Sequence, residues 1–83
     1  MNKMEALITF DKSVEAIAAD DIINKNGIKG RIVSIPEQLE ASCGFSLRVK
    51  VDDLDRVWGA LSASHVNYKN TFKILSYTEF EKM

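Results

Sequence analysis

Residues 44–61 read GFSLRVKVDDLDRVWGAL, and the spacing of the apolar residues changes halfway along them. In the first half Phe45, Leu47, Val49 and Val51 alternate with Ser46, Arg48 and Lys50. Successive side chains of a strand point to opposite faces, so this pattern predicts a half-buried strand over 44–51 with one wet face. In the second half Leu54, Val57, Trp58 and Leu61 follow at i, i+3, i+4, i+7, which is one face of a helix. Asp52 stands at the junction as the expected N-cap, and Asp55 three positions on resembles a capping box with the shorter acid. A strand running straight into an amphipathic helix marks an α+β chain.

Towards the N-terminus, Pro36 closes the polar loop PEQLEAS (36–42), which has room for one helical turn. RIVSI (31–35) reads as a strand that proline ends, because proline cannot donate to a ladder. Gly27 is placed to stop a helix at its C′ position. That helix begins after Asp11 or Ser13, either of which suits an N-cap, and carries Val14, Ile17, Ala18 and Ile22 at helical spacing. MEALITF (4–10) is a short apolar run that fits a central strand.

Towards the C-terminus, the second helix runs out near 63–65, residues 67–70 form a turn-like connection, and FKILSY (72–77) is a last strand. Residues 78–83 read as a polar tail with room for one helical turn. The order βαββαβ predicts a ferredoxin-like sandwich: a four-stranded antiparallel sheet in the order 4-1-3-2 with both helices on one face. The whole chain, 1–83, is expected to be one domain with its core at about 4–77.

The chain has 83 residues, with 11 Lys and Arg against 12 Asp and Glu and a net charge of -1. This balance, with the charges interspersed along the sequence, argues against a nucleic-acid binder and against a membrane surface. No segment has the length of a membrane-spanning helix. The first ten residues lack the features of a signal peptide. A single cysteine then fits a cytoplasmic protein and leaves stability to apolar packing or to association, a homodimer included. One His and one Cys make no zinc site, the four glycines are too dispersed for a phosphate loop, and no nucleophile elbow is present. Neither a cofactor nor a metal is expected, nor a stand-alone enzyme.

Cys43 is the residue on which chemistry could turn. In the expected topology the start of the third strand lies beside the end of the first, where the first helix begins. That brings Cys43 near a helix N-terminus, whose unpaired N–H groups and partial positive charge favour a thiolate. A free thiol near pKa 8.5 is only about 3% ionised at pH 7, and lowering the pKa to about 7 makes it roughly half. Gly44 leaves the sulfur open to an incoming atom. Arg48 stands five strand residues away, roughly 16–17 Å, and on the other face, so it is no activator. His65 falls at the same end of the sheet as Cys43; it could accept a proton, or simply close a helix end. The plainer reading of a lone cysteine is a small buried hydrophobe. Trp58 reads as core, and Arg48 and Lys50 as a solvated face or a subunit interface.

Ile35-Pro36-Glu37 together with Ala41-Ser42-Cys43-Gly44-Phe45-Ser46-Leu47-Arg48-Val49 resembles the signature of the selenium/sulfur carrier-like family of small domains. The likeness extends to a first strand ending Ile8-Thr9-Phe10, a helix closing near Asn26-Gly27-Ile28, and a helix opening Asp52-Asp53-Leu54. It covers roughly residues 5–76. Phe45 departs from the small or aliphatic residue usual after Cys-Gly. The resemblance implies a carrier that holds sulfur or selenium on Cys43 as a persulfide or selenosulfide. Gly44 would give access, and Ser42 and the first-helix amides would hydrogen-bond the sulfur. It also implies a protein donor such as a cysteine desulfurase and an acceptor protein. The alternative from a different class is a non-catalytic regulatory or interaction module, in which Cys43 is structural and Ser46, Arg48 and Lys50 line an exposed sheet face.

Overall fold

The computed structural model describes residues 4–36, 39, 44–76 and 79–83. The elements are β1 (Glu5–Thr9), α1 (Ser13–Lys25), β2 (Gly30–Ser34), β3 (Phe45–Lys50), α2 (Leu54–Ala63), β4 (Asn70–Ile74) and β5 (Phe80–Lys82). They form an α+β architecture with one five-stranded antiparallel sheet in the order β2-β3-β1-β4-β5. The first four strands keep the expected relative order. The expectation of a four-stranded sheet is corrected by β5, which adds to the edge beyond β4 where the sequence suggested a polar tail. The hairpin is short: Leu75 and Ser76 N–H both donate to the Glu79 carbonyl, and Ile74 faces Phe80 across it. A cross-strand apolar pair of that kind holds a strand too short and too polar to show by alternation.

The register fixes what each face carries. β1 pairs with β3 as Ala6↔Val49 and Ile8↔Leu47. These four side chains are buried with Phe10 against Ala16, Ala19 and Ile23 of α1 and Leu54, Val57 and Leu61 of α2. Both helices therefore cover one face of the sheet. Gly30 lies on that face because a Cβ there would meet Ile23 Cδ1 at 2.7 Å, Val49 Cγ1 at 2.8 Å and the Arg48 carbonyl at 3.0 Å. Trp58 is partly buried against this core, and its indole N–H donates to Thr71 Oγ1 at 3.2 Å, which satisfies its polar end.

The helix ends differ from the sequence reading in their starts and agree in their stops. Lys12, not Asp11 or Ser13, is the N-cap of α1, and it makes no side-chain capping bond. Val51 leaves the strand for a single 3-10 turn, Val51–Asp53, so the N-cap of α2 moves from Asp52 to Asp53, again without a side-chain capping bond. Asp53 pairs instead with Arg56 at 3.6 Å. At the other ends both helices close by the same six-residue motif. Ile28 N–H donates to the Ile23 carbonyl and Gly27 N–H to Asn24; Val66 N–H donates to Leu61 and His65 N–H to Ser62. This is the Schellman closure. Its left-handed residue is Gly27 at φ 70 in α1 and His65 at φ 59 in α2.

Candidate functional site

Two places on the fold are candidates for a site: the end of the sheet where β3 begins, and the sheet face opposite the helices. At the first, Ile35 N–H donates to the Gly44 carbonyl at 3.2 Å, continuing the β2–β3 ladder one step beyond Ser34↔Phe45. β1 ends beside this point, since Thr9 pairs with Ser46. Two residues past that pair the chain reaches Asp11 on one side and Gly44 on the other, and α1 starts at Ser13. The N-cap Lys12 makes no side-chain capping bond to the first turn of α1. Cys43 and Ser42 lie outside the described residues. Gly44 is exposed, its φ is not in the left-handed region, and a Cβ added to it would meet nothing within 4 Å.

Phe45 and Ser46 exchange the roles the alternation suggested. Phe45, on the helix side by register, is 40% exposed, whereas Ser46, expected on the wet face, is fully buried. Ser46 sits between Thr9 on β1 and Val33 on β2, inside the sheet. Its hydroxyl has no hydrogen-bond partner among the described residues. Phe45 is the first residue of β3. The adjacent Thr9 is satisfied: its hydroxyl donates to the Asn70 carbonyl at 3.3 Å and accepts from Asn70 N–H at 3.1 Å. His65 is exposed and serves the α2 closure described above, with Ser62, Val66, Asn67 and Tyr68 around a shallow hollow. The chain then enters β4 at Asn70, opposite Thr9, so His65 belongs to the same end of the sheet as Gly44.

The open face carries Glu5 and Leu7 from β1, Arg31 and Val33 from β2, Arg48 and Lys50 from β3, and Ile74 and Phe80 from β4 and β5, by the registers of the four strand pairs. Arg48 Nε donates to Glu5 Oε1 in an ion pair between neighbouring strands. Leu7 is only 2% exposed, although α1 and α2 both pack on the other face. It forms the floor of a groove of about 740 Å³ walled by Val33, Arg48, Ile74 and Phe80 among others. Beside it a second hollow of about 310 Å³ is lined by Glu5, Lys29, Arg31, Arg48 and Lys50, with Gly30 and Val49. Read along the sequence these cations are interspersed with acids; the β2–β3 register brings them together. The signal that finds them is the alternation of Lys29, Arg31 and Val33, set against that of Arg48 and Lys50. Among the described residues no group of His, Cys, Asp and Glu could hold a metal ion, and no helix is long and apolar enough to cross a membrane.

A two-helix, five-stranded antiparallel α+β domain with an exposed glycine entering β3 beside the first helix is the class that the fold and this site define. The family model described as "Putative Se/S carrier protein-like" matches residues 5–73, from the first residue of β1 into β4, and the chain belongs to that family. Neither a curated protein nor a solved structure matches the chain. The matched stretch includes Cys43, the chain's single cysteine, and stops before β5.

Proposed function

We propose that the chain carries sulfur or selenium on Cys43 and passes it between proteins. The observation that carries this reading is the family match across residues 5–73, which contains one cysteine and hence one sulfur able to hold a second chalcogen. In the loading step the Cys43 thiolate attacks the outer sulfur of a persulfide on a donor such as a cysteine desulfurase. The donor's S–S bond breaks, its own cysteine leaves as thiolate, and a new S–S bond forms on Cys43. The transferred atom keeps its oxidation state, so no external oxidant or reductant is needed. With selenium the bond made and the bond broken are both S–Se. Unloading to the acceptor protein repeats the exchange in the other direction.

Support comes from the setting of Gly44. It is exposed and fixed to Ile35 by a ladder hydrogen bond, and Cys43 precedes it in the sequence. The strand ends lead Gly44 and Asp11 to the same edge, next to an α1 first turn that the N-cap Lys12 side chain does not cap. Amides there favour an anion, whether thiolate or terminal persulfide. Ser42 would add a hydrogen bond to the sulfur, and Gly44 would keep its approach clear. The setting in a cell that fits such a carrier is the cytoplasm, where thiols stay reduced.

The test is to incubate the protein with a cysteine desulfurase and cysteine or selenocysteine, then measure intact mass. We expect a gain of one sulfur or selenium atom that vanishes in Cys43→Ala and is reversed by a thiol reductant. Absence of any adduct with each donor tried would overturn the reading. pH-dependent alkylation supplies a second readout, with a Cys43 thiol pKa below that of free cysteine expected.

The second reading, a non-catalytic interaction module, is favoured by one observation: five strands present a face opposite α1 and α2, with a groove across it. Ser46, being buried, takes no part in such a face, which leaves Arg48 and Lys50. Under this reading Cys43→Ala is silent and charge reversal at Arg48 alters association in sedimentation, homodimer formation included.

A further inference from the structure

The hollow at the Lys50 end of the open face concentrates charge that the rest of the described structure does not neutralise. Four cations, Lys29, Arg31, Arg48 and Lys50, line it with one carboxylate, Glu5. Arg48 is engaged by Glu5. Lys29, Arg31 and Lys50 form no ion pair among the described residues, whose pairs are Lys25–Asp21, Arg48–Glu5, Arg56–Asp53 and Lys69–Asp11. Arg31 stands directly opposite Arg48 in the β2–β3 register. Like charges facing each other across a ladder destabilise a sheet, and the chain as a whole is slightly acidic at net charge -1. A basic cluster of this kind is therefore not a by-product of a basic protein.

The chemistry selects the ligand. One carboxylate is satisfied by one guanidinium, as Glu5 already shows on Arg48. Three further cations around one concavity suit a group with at least two charges and several acceptor oxygens, and guanidinium forks match phosphate oxygens two at a time. Arg48 also walls the neighbouring groove, whose floor and sides are Leu7, Ile74 and Phe80. A ligand held at the cationic end thus has an apolar surface alongside for its remaining atoms. Pockets that bind small molecules share this plan, with an apolar lining and a few convergent polar groups.

We propose that the open sheet face binds a small phosphorylated molecule, its phosphate held by Lys29, Arg31, Arg48 and Lys50 and its less polar body lying over Leu7, Ile74 and Phe80. The site is independent of Cys43 and of the carrier reading. The hollow is at the opposite end of β3 from Gly44, and Gly44 to Lys50 is six residues, about 20 Å of strand.

Inorganic phosphate and phenyl phosphate serve as probes, titrated into the full chain by NMR at low salt. Saturable shifts of residues 29–31 and 48–50 are expected with both, with phenyl phosphate several-fold tighter. Arg31→Glu, at an exposed position, should weaken both by about tenfold or more, equivalent to about 1.4 kcal/mol. Phe80→Ala should erase the advantage of phenyl phosphate and leave inorganic phosphate unchanged. Cys43→Ala should bind as the parent does. No saturation by either probe in the millimolar range, equal affinity for the two, or undiminished binding in Arg31→Glu would overturn the proposal. So would tighter binding of a hexaglutamate peptide than of phenyl phosphate, which would mark the face as a dock for an acidic protein segment instead.

Discussion

Leu7 and Ile8 are neighbours in β1, equally apolar and almost equally buried at 2% and 0% exposure, yet they serve opposite faces of the sheet. Ile8 is enclosed with Phe10, Leu47 and Val49 by two helices. Leu7 lines a groove with Arg48, Val33, Ile74 and Phe80, on the face opposite the two helices. The helix face is closed by side chains of both helices that bury its apolar residues. The open face keeps a groove, together with three cations outside any ion pair and a buried hydroxyl without a partner, both counted among the described residues. Stability resides in the first face, and the second is where the chain tolerates arrangements that packing alone would not select.

The largest effect that separates the faces is expected from truncating that pair. Ile8→Ala should cost about 2–5 kcal/mol, since the enclosing helices cannot collapse into the space. Leu7→Ala should cost less, because water and mobile side chains of the groove can enter. Urea denaturation midpoints read both, and equal losses would show that the open face is packed as tightly as the covered one. Gly30→Ala comes next. Its Cβ would approach Ile23, Val49 and the Arg48 carbonyl at 2.7–3.0 Å. The side-chain ends can shift but the backbone oxygen cannot do so freely, so a loss of about 1–3 kcal/mol is expected. A silent Gly30→Ala would mean that α1 can lift from β2 without cost.

How far the sequence discloses these faces depends on what each residue needs. Ala6, Ile8, Leu47 and Val49 are legible because a period of two and a register of antiparallel partners are enough to place them. The helix of 54–61 is legible because its apolar stripe is continuous. The stops at Gly27 and His65 are less alike: glycine announces a left-handed residue, and histidine at φ 59 does not. Phe45 and Ser46 are misread because alternation tells which way a side chain points and not what lies above it. β5 is missed because three residues with one apolar side chain make no pattern until Ile74 is set beside Phe80. Of the candidate site, the sequence singles out Cys43 and its neighbours by residue type. It hides the cationic hollow, whose members come from two strands and meet only through register.

Ser46 tests whether the open face carries an energetic burden. A buried hydroxyl without a partner has lost its hydrogen bonds to water and gained none, a cost of about 1–3 kcal/mol, while removing the oxygen leaves only a small void. Ser46→Ala should therefore raise stability by about 1 kcal/mol in thermal or urea unfolding. A loss of stability would show that the hydroxyl is satisfied in solution, and Ser46→Val, which adds bulk beside Thr9 and Val33, should destabilise in either case.

The smallest effect sharpens the comparison most directly. Arg31 faces Arg48 across the β2–β3 pair, and Arg31→Gln removes one of the two like charges without touching the helix side. Repulsion between partly solvated charges is weak and screened by salt. The expected change is a gain of a few tenths of a kcal/mol at low ionic strength that fades as salt is added. The same substitution at a position held for folding would cost stability at every salt concentration, and that result would move Arg31 from the face kept open to the face that holds the chain together.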